Sequence, residues 1–533
     1  MTSSLSTPVD DTPPATSRVQ AGFETVLVFL IFFIQGAWPV PEVNEAHYLS
    51  KAKHYWNPQW CDQDFFCNSA DAHQVFYWSF GWLTLWCTLP AVAWIGRILT
   101  WSLLAFAWRK LSIAVVPARF AAVLSAALFV TLLHRAHLAG EWVVGGVEAK
   151  GFAFVLGLLG IEAVVRDRWN RAWLWFGAAA AFHVLVGGWL VVAAGFAWLI
   201  MRFSSDHKPK NCSIWAFLAG GLLTLPGLIP AVMLMRGVDS ATASEAARIY
   251  VVERLPHHLV PQQFPWNLLV RFTAMVVVWG FLNWHRPHND RSRRLAALVN
   301  GSLAIAAIGF VISFAATVWP DRATPLLRYY WFRTSDVLLP LGLGLMVTSL
   351  TVKWLNEQRR TGPLLLVAGI LFAGWHLGTI LQERGLRSIA PADRRTINIA
   401  DWQEICDWAA ANTPKDARFL TPRLLYTFRW YSGRSEVVSW KDVPQDASGI
   451  VDWWRRVRDV HQRGQTAQDV LWYRSLALAP PEHLVRVGKA YGATYLVTEA
   501  APPLPFELVS PPNASYAVYR LPTTWVPRTP PAE

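Results

Sequence analysis

Long apolar runs alternate with short charged segments along most of the chain. Runs near the ~20 residues that cross a bilayer fall at 22–40, 90–110, 117–137, 148–166, 213–235, 267–285, 295–318, 335–353 and 363–381. The stretch 171–203 is longer than one span and is interrupted at Gly187-Gly188. Arg166, Arg168 and Arg171 precede it; Arg202, Lys208 and Lys210 follow it. Both ends therefore prefer the same side, and the stretch is predicted to be a hairpin of two short helices. The pattern predicts a polytopic α-helical membrane protein of about 11 spans. Residues 73–88 are aromatic and only moderately apolar, and Pro90 follows them. They are predicted to lie in the membrane interface rather than to cross it.

From about residue 382 the pattern changes. Helical periodicity covers 401–411, 448–463 and 481–491, and strand-like segments fall at 417–420, 436–440, 494–498, 507–510 and 516–521. This predicts a C-terminal soluble α/β domain of about 140 residues, enough to form its own core. No glycine-rich phosphate loop opens its helices. The expected organisation is a disordered cytoplasmic N-terminus over 1–21, a transmembrane domain over 22–381, and an external domain over 382–533.

Composition agrees with a membrane protein: 53% of residues are hydrophobic and 16% are charged. The net charge of +12 comes from bases gathered between apolar runs, such as Arg109, Lys110 and Arg119, or Arg286, Arg291, Arg293 and Arg294, or Lys353, Arg359 and Arg360. That is the signature of cytoplasmic loops, so the charge reads as a topology signal and no nucleic-acid partner is expected. With these loops and the N-terminus inside, the loops 41–75, 138–147, 236–266 and 319–334 and the tail lie outside, which in a bacterial inner membrane is the periplasm. The first apolar run lacks a small-residue cleavage site, so no removable signal peptide is expected. Many of the 31 Trp flank apolar runs, as interfacial anchors do. Cys61 and Cys67 share one outer loop and could be a disulfide or two thiols. Cys87, Cys212 and Cys406 have no metal-like spacing.

The chemistry-bearing segment is Pro41-Glu42-Val43-Asn44-Glu45-Ala46-His47-Tyr48-Leu49-Ser50-Lys51-Ala52, directly after the first span. Acids in a first helical turn are favoured by the helix dipole, which by itself accounts for Glu42 and Glu45. Glu45, Tyr48 and Ala52 also share one helical face. The string Asn-Glu-x-x-Tyr-x-x-x-Ala resembles the Asp-Glu-x-x-Tyr-x-x-x-Ala motif in the first external loop of C-type (GT-C) glycosyltransferases. The order of elements resembles theirs along the whole chain. Two departures stand out: the family's Asp is Asn44 here, and there is no Trp-Trp-Asp motif of the oligosaccharyltransferases, so asparagine-linked transfer is not expected.

The resemblance implies a sugar donor carried on a polyprenyl phosphate, an unknown acceptor, and a site at the water–lipid boundary. Such a site needs a carboxylate to take the acceptor's proton and cations to receive the leaving phosphate. Glu45 is the first expectation for the base, with Glu42 and Glu148 beside it. Tyr48, Arg254, His257, His258, Arg328 and Arg333 are expected to hold the substrate. Asp62, Asp64 and Glu141 are the expected ligands of a divalent ion, Mg or Mn. This reading requires Glu45 to converge with at least one of Glu148, His257 or Arg333. Two alternatives from other classes remain: a transporter or flippase for a lipid-linked or anionic substrate, and a non-catalytic membrane assembly protein. A transporter would place ionisable groups at the bilayer midplane. His183, inside the predicted hairpin, is expected to be a satisfied buried histidine.

Overall fold

The computed structural model describes residues 17–203, 209, 212–284, 289–466 and 470–524. The expected N-terminal disorder falls outside the described residues up to 16. From Arg18 the chain is helical, because the Ser17 hydroxyl accepts the Gln20 N–H at 3.1 Å and caps the first turn.

Among the described residues eleven helices build the bundle: α1 (Arg18–Gly36), α4 (Leu89–Val115), α5 (Ala121–Ala136), α6 (Ala149–Val165), α7 (Trp169–Phe182), α8 (Val184–Phe203), α9 (Ile214–Met233), α12 (Trp266–Trp284), α13 (Asp290–Val318), α15 (Arg333–Asn356) and α16 (Thr361–Leu386). Eight are long and apolar enough to cross a membrane; α5, α6 and α7 are shorter, at 16, 17 and 14 residues. α15 runs through the middle, with 83% of its apolar window buried, whereas α9 has 11% and α12 and α16 have 22% each. The outer helices expose Leu222, Ile229, Val277, Phe281, Val367 and Leu371, a surface that only lipid solvates cheaply.

The hairpin exists, but it breaks four residues before the glycines. α7 stops at Phe182 and His183 takes an extended conformation before α8 begins. Gly187 serves packing instead: a Cβ there would stand 2.2 Å from the Ala180 backbone nitrogen. A similar close approach joins α7 to α9, where a Cβ on Gly177 would meet the Gly220 carbonyl oxygen at 2.0 Å. Small residues here let helix backbones touch without a hydrophobic driving force.

The basic loops gather at one end of the bundle. There Arg109 pairs with Glu24 at 3.1 Å, Arg291 donates to the Ala114 carbonyl, and Arg294 donates to the Val165 carbonyl. The other end carries the shorter helices α2 (Glu45–Trp56), α3 (Gln74–Ser79), α10 (Ser240–Arg248), α11 (Pro256–Leu259) and α14 (Pro320–Leu327). A π-helical turn, Ile249–Arg254, continues α10. Residues 73–88 form α3 and a 3₁₀ turn, Gly81–Leu85, rather than one long helix, and they expose Trp78 (66%) and, just after the turn, Trp86 (81%).

The tail docks on this second end. It contains α17 (Ile399–Asn412), α18 (Phe428–Ser432), α19 (Ala447–His461) and α20 (Pro481–Tyr491). Its strands are β1 (Arg418–Leu420), β2 (Ser435–Glu436), β3 (Gln462–Gln465), β4 (Val470–Trp472), β5 (Tyr495–Glu499), β6 (Glu507–Leu508) and β7 (Tyr516–Arg520). One sheet runs in the order β2-β1-β5-β7-β6, parallel at β2-β1-β5 and antiparallel at β5-β7-β6. The hairpin β3-β4 is an addition to the expected elements, and the expected strand at 436–440 is reduced to β2. Cys61 and Cys67 are both free and buried in the joint between the first loop and the tail.

Arg429 is the hub of that joint. Its guanidinium lies 2.8 Å from Asp64, 2.5 Å from Asp442 and 3.6 Å from Glu436, all four groups buried. One cation cannot balance three carboxylates, and burial with Asp64 and Asp442 nearby pushes Glu436 up to about 8. A carboxyl raised above its unfolded value stabilises the fold below that value, and the contribution is lost as pH rises through about 8. Melting temperature should therefore fall for the wild type relative to Glu436→Gln as pH is raised from about 5 to about 9. A difference in melting temperature that stays constant with pH would contradict a neutral Glu436.

Candidate functional site

The acidic first loop folds into a polar cluster that draws on every outer segment. Glu45 begins α2 and is fully buried. Arg97, projecting from the middle of α4, grips it with two hydrogen bonds of 2.7 Å. The Val147 N–H donates to one carboxylate oxygen at 2.9 Å and the Glu42 N–H to the other at 2.8 Å. Each oxygen thus accepts two hydrogen bonds, the full capacity of a carboxylate. Glu45 ties the first loop, α4 and the second loop together, and this geometry leaves it no free lone pair for an incoming proton. That corrects the expectation that made it first choice as base.

Glu42 is different. One of its oxygens is buried and has no hydrogen-bond partner. Burial raises its pKa, and the neighbouring charges of Glu45 and Glu148 raise it further. The loop can pack this tightly because residue 146 is glycine: a Cβ there would stand 2.7 Å from Glu42 Cβ and 2.9 Å from the Glu45 carboxyl carbon.

Asn44 explains its own departure from the family pattern. Its amide nitrogen donates to Glu148 at 2.8 Å and its amide oxygen accepts from Lys441 of the tail at 2.7 Å. An Asp could accept from the lysine but could not donate to the glutamate. Asn44→Asp should cost about 1.5–3 kcal/mol, the range for a hydrogen bond to a charged group. Thermal unfolding at neutral pH reads this, and an Asp variant as stable as the wild type would sink the bridging role.

From Glu148 the network continues. Lys150 Nζ stands 3.1 Å from Glu148 and 2.9 Å from Glu141, and Arg333 at the start of α15 stands 2.6 Å from Glu141. These are ion pairs rather than well-aligned hydrogen bonds. Burial alone would raise Glu141, but Arg333 and Lys150 outweigh it and hold the carboxyl below its usual range. Arg333 also lies 3.3 Å from the His183 ring, so the break between α7 and α8 brings this histidine into the cluster. The His183 ring faces His73 at 5.1 Å, and His73 is held by Asp71 at 3.0 Å. Tyr48 approaches His73 at 3.5 Å, and burial raises its hydroxyl pKa. Tyr250 and Tyr330 close the far side with hydroxyls 3.0 Å apart. Tyr330 holds φ at +55°, a left-handed conformation that bulky residues rarely adopt.

The remaining expected residues are placed as follows. Arg254 donates to the Trp440 and Lys441 carbonyls at 2.9 and 3.2 Å, so it latches the tail. His258 donates through Nδ1 to the Ala139 carbonyl, and the exposed His257 ring lies tilted beside it, centroids 4.1 Å apart. Arg328 is half-buried and has no hydrogen bond or ion pair among the described residues, so it does not join the cluster. Asp62 is exposed, Asp64 is consumed by Arg429, and Glu141 is balanced by Arg333 and Lys150. Among the described residues no three His, Cys, Asp or Glu converge as metal ligands. The expected set of Asp62, Asp64 and Glu141 does not fit a divalent ion.

Sequence reasoning did not single out Arg97, His73 or Lys441. Arg97 carried a signal, as a lone arginine within an apolar run, where an ionisable residue needs a partner. Lys441 carried none. Burial and the nearby Arg254 push its ammonium down to about 8.

Residues 400–460, which include Lys441, match the model of a domain of unknown function, DUF6798. No curated protein matches the sequence. Two solved structures are similar in outline. One is the archaeal oligosaccharyltransferase AglB from Archaeoglobus fulgidus in complex with an inhibitory peptide and a dolichol-phosphate, at 10% identity and a TM-score of 0.45, over 91% of this chain and 70% of that one. The other is the Archaeoglobus fulgidus oligosaccharyltransferase complex with Zn and sulfate, at 12% identity and a TM-score of 0.40, over 89% of this chain and 67% of that one.

Proposed function

We propose that this chain is a GT-C-type membrane glycosyltransferase that moves a sugar from a polyprenyl-phosphate donor to an acceptor hydroxyl at the end of the bundle where the tail docks. The observation that carries the reading is the unpartnered, buried Glu42 oxygen, with the charges of Arg97 from α4 and Lys441 from the tail nearby. In the step, the acceptor oxygen attacks the anomeric carbon and forms the new C–O bond. The bond from that carbon to the phosphate oxygen breaks, and the polyprenyl phosphate leaves with the electron pair. Glu42 takes the acceptor's proton; its raised pKa makes it a better base than an exposed carboxylate. Lys441, Arg333 and Lys150 are the cations available to the leaving phosphate. Glu148, Asn44 and Glu45 position Glu42 and Lys441. Tyr48, His73 and His183 line the neighbouring wall.

The test is a screen of polyprenyl-phosphate sugars against purified full-length protein in nanodiscs, reading release of free polyprenyl phosphate with an acceptor extract present. Donor cleavage that depends on the acceptor supports the reading. Translocation of intact donor without cleavage would instead make the protein a flippase.

A further inference from the structure

A second polar concavity lies apart from the Glu42 cluster. It has a volume of about 500 Å³ and is formed between α10 with its π-helical turn and the tail elements α19, β3 and α20. That size falls in the ~300–1,000 Å³ range of small-molecule sites. Its lining includes Arg458, Arg463 and Arg486.

These three guanidinium groups have no salt bridge among the described residues. Arg458 donates to the neutral amides of Gln462 and Gln465 at 2.7 and 3.2 Å. Arg486 contacts the neutral ring of His483 at 2.9 Å, a histidine that burial lowers further. Arg463 is exposed and has no hydrogen bond or ion pair among the described residues. Of the acids in the lining, Glu245 pairs with Arg248 at 3.0 Å, and Asp459, which accepts the neutral Tyr491 hydroxyl, sets one negative charge against the three arginines. The cleft thus carries uncompensated positive charge in a geometry suited to carboxylate or phosphate. Trp454, Tyr473 and the Gln462 amide complete the wall. Aromatic faces beside planar polar groups suit a ring that is apolar on its faces and hydroxylated at its edges.

We propose that this cleft binds an anionic sugar, a saccharide bearing carboxylate or phosphate groups. The proposal stands apart from the chemistry at Glu42. The two sites share one wall: Glu245 and Ile249 line the cleft, and Tyr250 and Arg254 on the same helical segment face the cluster and the tail.

The test uses full-length protein in detergent and three probes: trigalacturonate, maltotriose and inorganic phosphate. Calorimetric titration should show trigalacturonate binding that weakens with salt, no detectable maltotriose binding, and phosphate at least tenfold weaker. Arg458→Gln with Arg486→Gln should reduce trigalacturonate affinity at least tenfold at an unchanged melting temperature. Arg463→Gln, at a fully surface position, gives the same direction should the double variant unfold. Glu42→Gln should bind trigalacturonate as the wild type does, which separates this result from any result on transfer. Absent trigalacturonate binding, equal maltotriose binding, or arginine variants that bind unchanged would overturn the proposal. Equal phosphate binding would overturn its sugar component.

Discussion

Glu42→Gln is expected to lower sugar transfer by about 10²–10⁴-fold, the usual loss when a general base is removed. The swap keeps the side chain's size. It leaves the Glu42 N–H bond to Glu45 in place, since that donor is the backbone. Folding should be close to wild type, because the buried oxygen has no partner to lose. The pH profile gives a second handle. Glu42 must be ionised to accept a proton, so the rate should rise with pH through a midpoint above the ordinary carboxylate value, as its raised pKa requires. Lys441 must be charged to receive the phosphate, so the rate should fall again above about 8. In Glu42→Gln the acid limb should vanish, and in Lys441→Met the alkaline limb should vanish. Transfer by Glu42→Gln within a factor of a few of the wild type would remove Glu42 from the chemistry.

Arg97→Met is expected to destabilise the protein by about 3–5 kcal/mol, the loss measured when one partner of a buried ion pair is removed. Both side chains are fully buried, and the arginine also donates to the Trp38 carbonyl at 2.5 Å. Methionine fills similar space but leaves the Glu45 carboxylate with only two backbone donors. Glu45→Gln should also lower stability, since one amide face must then meet donors it cannot accept from. The contrast between the two glutamates is the discriminating result: Glu42→Gln folds and does not transfer, whereas Glu45→Gln fails first in folding. Denaturation monitored by tryptophan fluorescence, in the same detergent for all variants, measures this. An Arg97→Met protein as stable as the wild type would show that the pair contributes nothing.

How far the sequence leads depends on what kind of force sets each feature. Apolar run length is set by the bilayer, so the eight helices long enough to cross it lie where the hydrophobic pattern puts them; α5, α6 and α7 also fall on expected runs but are shorter than a full span. The tail helices also fall within a residue or two of expectation, because α17, α19 and α20 each bury one periodic face, with Trp402, Trp453 and Leu484 in the core. The hairpin break was legible only approximately. Glycine marks both breaks and close packing, and here Gly187 packs while His183 breaks. The motif marked the acidic loop but not which of its acids is left with an unpartnered oxygen. Which carboxylate is spent depends on Arg97, 52 positions further along the chain from Glu45. Which cations face the cluster depends on the tail, which sets Lys441 against Asn44 from 397 positions away. Pairing across such distances leaves no periodicity to read. The candidate metal ligands failed for the same reason, since Arg429 engages Asp64 from the tail.

The account holds that loops from the whole second end of the bundle, together with the tail, build one site for a lipid-linked phosphate. Photocrosslinking tests this most directly. A polyprenyl phosphate carrying a diazirine in its first isoprene unit is irradiated with the full-length protein in nanodiscs, and labelled peptides are mapped by mass spectrometry. The account predicts labels on segments around Glu42, Glu148, Arg333 and Lys441, competed by unlabelled polyprenyl phosphate. Labels confined to the lipid-facing surfaces of α9, α12 and α16, without competition, would contradict it.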